Sequence, residues 1–262
     1  DKGEQLSNVV SVTTTETFTL PNAEFNDWST DGGTYYPYLN KESAWWGTGN
    51  PGSAIAGINL TTPHTENLAP GKSGTCAQLW SQQANVLGIK KFAAGNYFAG
   101  SFAGISGTNG VVHFGRPFTL RPTALRGWMK YNCGEIDCVP SNANPKVPGK
   151  GSPDRGSIYI ALGDWDYTKH GGTATSPVAV DTANEATFFN SSNEGIIAYG
   201  EILYHESQDW YQFEIPLVYR DFERIPTHII IVASGSSYGD YFVGSSQSIM
   251  WLDDFELIYD YE

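Results

Sequence analysis

The segment Met250-Trp251-Leu252-Asp253-Asp254-Phe255-Glu256-Leu257-Ile258-Tyr259 sets two adjacent acids within an alternating apolar strand. Phe255, Leu257 and Tyr259 share one face, and Asp253 shares their parity. A carboxylate on the core-facing side of a strand is costly unless it is paired, hydrogen-bonded or bound to a cation. The fold must therefore bring Asp253 a partner. Pro21 to Trp28, which includes Asn22, Glu24, Asn26 and Asp27, offers oxygen ligands near the other end. The two ends are expected to meet as neighbouring strands.

Further strand-like runs fall at 15–20, 75–80, 92–98, 114–120, 124–131, 157–163, 195–203, 210–215 and 227–234. They are punctuated by 29 Gly and 14 Pro spread along the chain, and no helical pattern of useful length intervenes. Short strands at this spacing predict an all-β, antiparallel sandwich. The run His228 to Ala233 is almost continuously apolar, as befits a central strand covered on both faces. Residues 141–155 and 169–188 read as long loops, functional or disordered. With 262 residues and 40% hydrophobic content, one large sandwich over 12–262 is expected, preceded by a flexible polar tether at 1–11.

Asp and Glu number 28 against 15 Lys and Arg, a net charge of −13. That balance argues against nucleic acid or an anionic membrane as partner and favours neutral sugars or cations. No run reaches the roughly 18 apolar residues of a membrane span, and no signal peptide is evident, which suggests a mature or trimmed chain. Cys133 and Cys138 could bridge a hairpin outside the cytoplasm or stay free, and Cys76 has no obvious partner.

The two ends resemble the galactose-binding-like jelly rolls of many carbohydrate-binding modules, with Asn22 to Asn26 at the family's acidic start and Leu252 to Leu257 at its Asp-Asp-aromatic finish. A second resemblance is carried by five blocks: Trp45 to Asn50, Ala94 to Phe102, Phe114 to Phe118 with Arg121-Pro122, Tyr199 to Glu201, and Ser236 to Gly244. Together they look like the putative carbohydrate metabolism domain of Bacteroides-type cell-surface proteins. That resemblance implies an antiparallel jelly-roll β-sandwich, galactose-binding-like. It also implies export to the periplasm or outer-membrane surface, often as a lipoprotein anchored outside the segment in hand, and a part in glycan use. The first resemblance implies a structural calcium ion tying the ends together, with Glu24 and Asp253 as ligands and Asn22 and Asp254 beside them. A cation-free arrangement, with loop N–H groups donating to Asp253, is the alternative.

Sugars pack their C–H faces on flat rings and exchange hydrogen bonds with polar neighbours. Two loop clusters suit that chemistry: Tyr35, Tyr36, Tyr38 and Trp46 (with Trp45), and Asp164-Trp165-Asp166-Tyr167. Each has a structural alternative, core packing for the tryptophans and turn capping for the aspartates. Arg116 and Arg121, with Asp240, read as internal scaffolding that anchors loop carbonyls or acids. The Gly47 to Gly52 and Gly235 to Gly239 motifs lack the following helix that dinucleotide binding or a serine nucleophile needs. No acid pair stands out for glycosidic hydrolysis. The expected function is non-catalytic binding of a glycan or oligosaccharide by a monomer. A glycoside hydrolase and a structural, protein-contacting surface lipoprotein are the alternatives.

Overall fold

The structure, a computed structural model, describes residues 17–86 and 88–259. The tether expected at 1–11 and the first two residues of the strand expected at 15–20 lie outside them. Chain order gives β1 (Ser29–Asp31), β2 (Thr34–Tyr36), β3 (Trp46–Gly47), α1 (Asn50–Ser53), β4 (Thr61–His64), β5 (Cys76–Trp80), β6 (Gln82–Val86), β7 (Ile89–Ala93), β8 (Asn96–Ser106) and β9 (Asn109–Phe114). There follow β10 (Arg116–Pro117), β11 (Ala124–Asn132), β12 (Gly156–Gly163), α2 (Tyr167–His170), β13 (Val178–Asp181), β14 (Ile196–Tyr204), β15 (Gln208–Pro216), β16 (Val218–Tyr219), β17 (His228–Ser234) and β18 (Ile249–Ile258).

Two sheets make an antiparallel sandwich, as the strand pattern predicts. One runs β13-β9-β8-β17-β12-β14-β16, with β10 on β17 and β3 on β8; the other runs β15-β11-β18-β5-β4. The hairpins β1-β2 and β6-β7 stand as separate two-stranded sheets. Alternation on the larger sheet assigns its faces. Ile229, Ile231 and Ala233 of β17, Ile158, Ile160 and Leu162 of β12, and Tyr97 and Ala99 of β8 join the core between the sheets. Their neighbours Ile230, Val232, Ala161 and Phe98 join a second cluster on the outer face, with Phe114, Trp165, Val178, Val180 and Ile196. The central strand is therefore covered on both sides, as its continuous apolar run requires.

The chain ends do meet, but not as paired strands. Residues 17–28 form no strand; Phe255 N donates to Ala23 O (2.9 Å), and the Phe25 and Phe255 rings meet edge to face at 5.0 Å. On β18 the pairing with β11 shifts register between Arg126↔Glu256 and Trp128↔Asp253, and Asp254 takes a left-handed φ of 57°. That β-bulge breaks the simple alternation. Met250 and Leu252 carry the core side before it and Phe255 and Leu257 after it, so Asp253, despite its shared parity with Phe255 and Leu257, takes the opposite face. The long loop expected at 169–188 contains the short strand β13, and the hairpin β6-β7 was not legible as strands. Cys76, Cys133 and Cys138 are free thiols.

Asp154, fully buried two residues before β12, gathers the segment that leads from β17 to β18. Its Oδ2 accepts from Ser236 Oγ (2.6 Å), Ser248 Oγ (2.8 Å) and Ser245 N (2.9 Å), and its Oδ1 from Arg155 N (2.8 Å). Removing the carboxyl orphans several buried donors, each costing about 1–3 kcal/mol. Asp154→Ala is expected to lower the unfolding free energy by on the order of 3 kcal/mol in urea titrations. A loss within about 0.5 kcal/mol, the range of an ordinary surface change, would refute this role.

Candidate functional site

The outer face of the larger sheet carries a partly open cavity of about 280 Å³. Even-numbered positions of β8 and β9 supply Phe98, Phe102, Val112 and Phe114, and β12 supplies Tyr159. These are the side chains that alternation turns away from the sandwich core. The turn after β17 closes one wall with Asp240 and Phe242, while α1 and β7 supply others.

Local sequence shapes that wall. Asp240 lies in the 3-10 turn Gly239–Tyr241. Gly239 is needed for close approach, because a Cβ there would come within 2.5 Å of Ala94 Cβ. Phe242 follows in the left-handed region, φ 57°, a conformation that surrounding contacts must hold. Lys91 supplies one: its Nζ lies 3.9 Å from the Phe242 ring centroid and donates to Thr108 O (2.9 Å), Thr108 Oγ1 (3.0 Å) and Asn109 Oδ1 (2.7 Å). Burial holds this ammonium below the usual lysine value. On the other side, Tyr241 Oη donates to Glu185 Oε1 (3.1 Å), and its ring meets Phe188 edge to face at 5.0 Å.

Between these anchors Asp240 has no hydrogen bond or ion pair among the described residues. It is half-buried in the cavity wall, and burial pushes its carboxyl up to about 6. The Tyr159 hydroxyl is held well above the ordinary tyrosine value by burial and then by the charge of Asp240. The site thus joins several ring faces to one uncompensated carboxyl and one phenol. Reading Asp240 as scaffolding is corrected here. The available signal was an acid flanked by Tyr238, Gly239, Tyr241 and Phe242 in a turn after a buried strand; its partners lie too far off in sequence to be seen.

The residues expected to bind sugar are dispersed. Trp46 is 1% exposed and packs on Phe25, Tyr97 and Phe255, and its Nε1 donates to Pro21 O (2.6 Å). Trp165, 4% exposed, fills the outer cluster. Neither presents a ring to solvent, which corrects that expectation: both indoles are used as core. Asp164 is clamped by Arg224 through Nε (3.0 Å) and Nη2, and Asp166 caps α2 by accepting from Thr168 N (3.0 Å). Tyr167 is 45% exposed, and Tyr35, Tyr36 and Tyr38 are half-buried, with the Tyr36 and Tyr38 rings 5.4 Å apart. Asn50 of α1 donates to Tyr35 O (2.9 Å), linking this cluster to an element that lines the cavity. Arg116 and Arg121 do anchor carbonyls, those of Trp45 and Gly100 and those of Asp221 and Arg224. Ser237 Oγ accepts from Arg155 Nε (2.8 Å).

At the chain ends, Asp253 is 3% exposed and its Oδ2 is buried without a partner. Burial, with the neighbouring Asp254 and Glu24 charges, pushes it up to about 7. An orphaned buried oxygen is what a cation would answer. The other expected ligands are already engaged: Asp254 by Lys72, Glu24 by Asn26 Nδ2 (3.2 Å), and Asn22 Oδ1 by Asp27 N (2.8 Å). No group of three or more His, Cys, Asp or Glu suited to a metal occurs among the described residues. As placed, these four side chains are not a ready calcium site.

Residues 24–258 match the family described as the putative carbohydrate metabolism domain, and the chain belongs to it. Its fold is shared by a protein from Bacteroides thetaiotaomicron described as a putative glycoside hydrolase: 24% identity, 91% of this chain and 71% of that one covered, TM-score 0.65. A second protein so described, from Bacteroides vulgatus, matches at 24% identity over 89% of this chain and 90% of its own, TM-score 0.60. No curated protein matches the chain. Among the described residues no helix is long and apolar enough to cross a membrane.

The Asp253 carboxyl yields a signed prediction. Its folded value, about 7, exceeds the ordinary 3.8, so the folded chain binds the proton more tightly. The resulting stability is complete below the ordinary value and lost as pH rises through about 7. In chelator, Asp253→Asn is expected to melt above the parent at pH 8 and to lack its decline between pH 5 and 8. A variant that melts lower at pH 8, together with a parent stabilised by added calcium, would favour a bound cation.

Proposed function

We propose that this carbohydrate-related domain binds a glycan without cleaving it, and that the outer-face cavity is where part of the ligand docks. The observation that carries this reading is the lining itself: the half-buried rings of Phe102 and Phe242 stand over a floor of buried Phe98 and Phe114 with Tyr159 beside them, and Asp240 is the one carboxylic acid among the lining residues. Apolar C–H surface packs on the rings, and a hydroxyl donates to Asp240. Hydrolysis of a glycosidic bond ordinarily needs two carboxyls across the scissile bond, about 5–5.5 Å apart for retention and about 6.5–9.5 Å for inversion. A single acid supports holding a sugar better than breaking one.

Tyr35, Tyr36, Tyr38 and Tyr167 are proposed as outlying contacts for a chain longer than the cavity. Net charge of −13 suits a neutral ligand. Action outside the cytoplasm, at the periplasm or the outer-membrane surface, accords with a glycan too large to enter unprocessed. Calcium at the chain ends would have to displace Lys72 from Asp254 and would be structural there. A second reading, protein contact, is favoured by Val218, Phe222 and Ile225, exposed at 66%, 79% and 69% close together in sequence.

A glycan-array screen of the parent and of Phe102→Ala, followed by calorimetry on the best ligand, tests the proposal. The variant is expected to bind at least about tenfold more weakly, the scale of one lost ring contact. Incubation of the parent with the same glycan is expected to release no new reducing ends. Binding unchanged by Phe102→Ala, or steady release of reducing ends, would overturn the reading.

A further inference from the structure

The cavity is short of free hydrogen-bonding groups. Most polar side chains on its wall are already committed within the protein: Asn96 Oδ1 accepts from Gly49 N (2.7 Å), Ser234 Oγ donates to Ser236 O (2.9 Å), and Thr182 Oγ1 donates to Gly110 O (3.2 Å). Lys91 is spent on Thr108 and Asn109, and Ser237 on Arg155. The Asp240 carboxyl and the Tyr159 hydroxyl, like the Ser157 hydroxyl on the floor of the cavity, have no hydrogen-bond partner among the described residues, and the charge of Asp240 is felt at Tyr159. Around them the wall is Phe98, Phe102, Phe114 and Phe242, with Val112, Val180 and Val232.

A bare hexose is a poor match for such a wall. Its ring carries hydroxyls on every edge, and each one carried into the cavity without a partner loses its hydrogen bonds to water. A flat apolar ring loses nothing there and gains offset or edge contacts with the phenylalanines. The volume agrees: an apolar cavity of about 150 Å³ holds one benzene, and this one measures about 280 Å³. That leaves room for a ring with a substituent, and the few unspent polar groups can receive one or two hydroxyls.

We infer that the cavity takes a phenolic group: an aromatic ring seated against Phe102 and Phe242 over a floor of Phe98 and Phe114, its hydroxyl donating to Asp240 and neighbouring Tyr159. The inference rests on the reading of this cavity as the ligand site and narrows it, since the part of the glycan that enters is then an aromatic substituent or aglycone and the sugars lie outside, toward the tyrosines that border α1.

Calorimetry with phenol and with toluene, which has the same ring and no hydroxyl, tests this on the full chain. Phenol is expected to bind about tenfold more tightly than toluene, the effect of one charge-assisted hydrogen bond. Asp240→Asn, checked to melt no lower than the parent, is expected to cost phenol most of that advantage and leave toluene within about twofold. Phe102→Ala is expected to weaken both. Equal affinities for phenol and toluene in the parent, no binding of either, or an advantage that survives Asp240→Asn would overturn the inference. The glycan array reports separately: phenol bound without any glycan would sink the proposed function and spare this inference, and glycan bound without phenol would do the reverse.

Discussion

A buried carboxylate with no access to water must have its hydrogen bonds supplied by the chain, and Asp154 obtains them from both ends of the segment that walls the cavity. Ser236 sits at the start of that segment and Ser245 and Ser248 at its end, all donating to one oxygen. The intervening residues are thereby closed into a loop over the outer face of β8, β17 and β12. Gly239, Asp240 and Phe242 ride on that loop. The cavity's geometry is therefore tied to a hydrogen-bonded centre that reaches its wall through Ser236. Such a centre is stabilising only while every member is satisfied.

The other constraint is the two-sided sheet. An antiparallel sheet in a sandwich commonly leaves one face to water, but here both faces of β17 and β12 are apolar. The outer face needs a cover, and it is built piecemeal from Trp165, the 185–189 turn, the β6-β7 hairpin, α1 and the loop after β17. A cover made of short pieces does not close completely. What stays open is a ring-lined hollow with an acid at its wall, and the same surplus of outer-face aromatics that demands the cover furnishes the contacts proposed for a ligand.

Much of the fold was legible because strands with continuous or alternating apolar residues announce themselves. β5, β11, β12, β14, β15, β17 and β18 fall where the pattern puts them. β13 was hidden by its four-residue length inside a polar loop, and the β6-β7 hairpin by its glutamines and lysines, which carry no period-two signal. The site was far less legible. Tryptophans in glycine-rich loops suggest exposure, yet glycine can equally make room for an indole. A Cβ at Gly163 or Gly195 would lie 2.8 or 2.6 Å from the Trp165 ring. Asp240 was visible as a residue but not as an unpaired one, because its surroundings come from Ala94 and Tyr159, remote in sequence. The bulge at Asp254 was equally beyond a two-residue periodicity.

The central claim is that Asp240 stands uncompensated in the cavity until a ligand donates to it. Site-resolved NMR titration of the side-chain carboxyl carbons tests this most directly, in the free protein and with a saturating bound ligand. The account predicts that Asp240 titrates near 6 when free and falls when the ligand is present, because a donated hydrogen bond stabilises the charged form. An Asp240 that titrates in the ordinary aspartate range and does not move on ligand binding would contradict it.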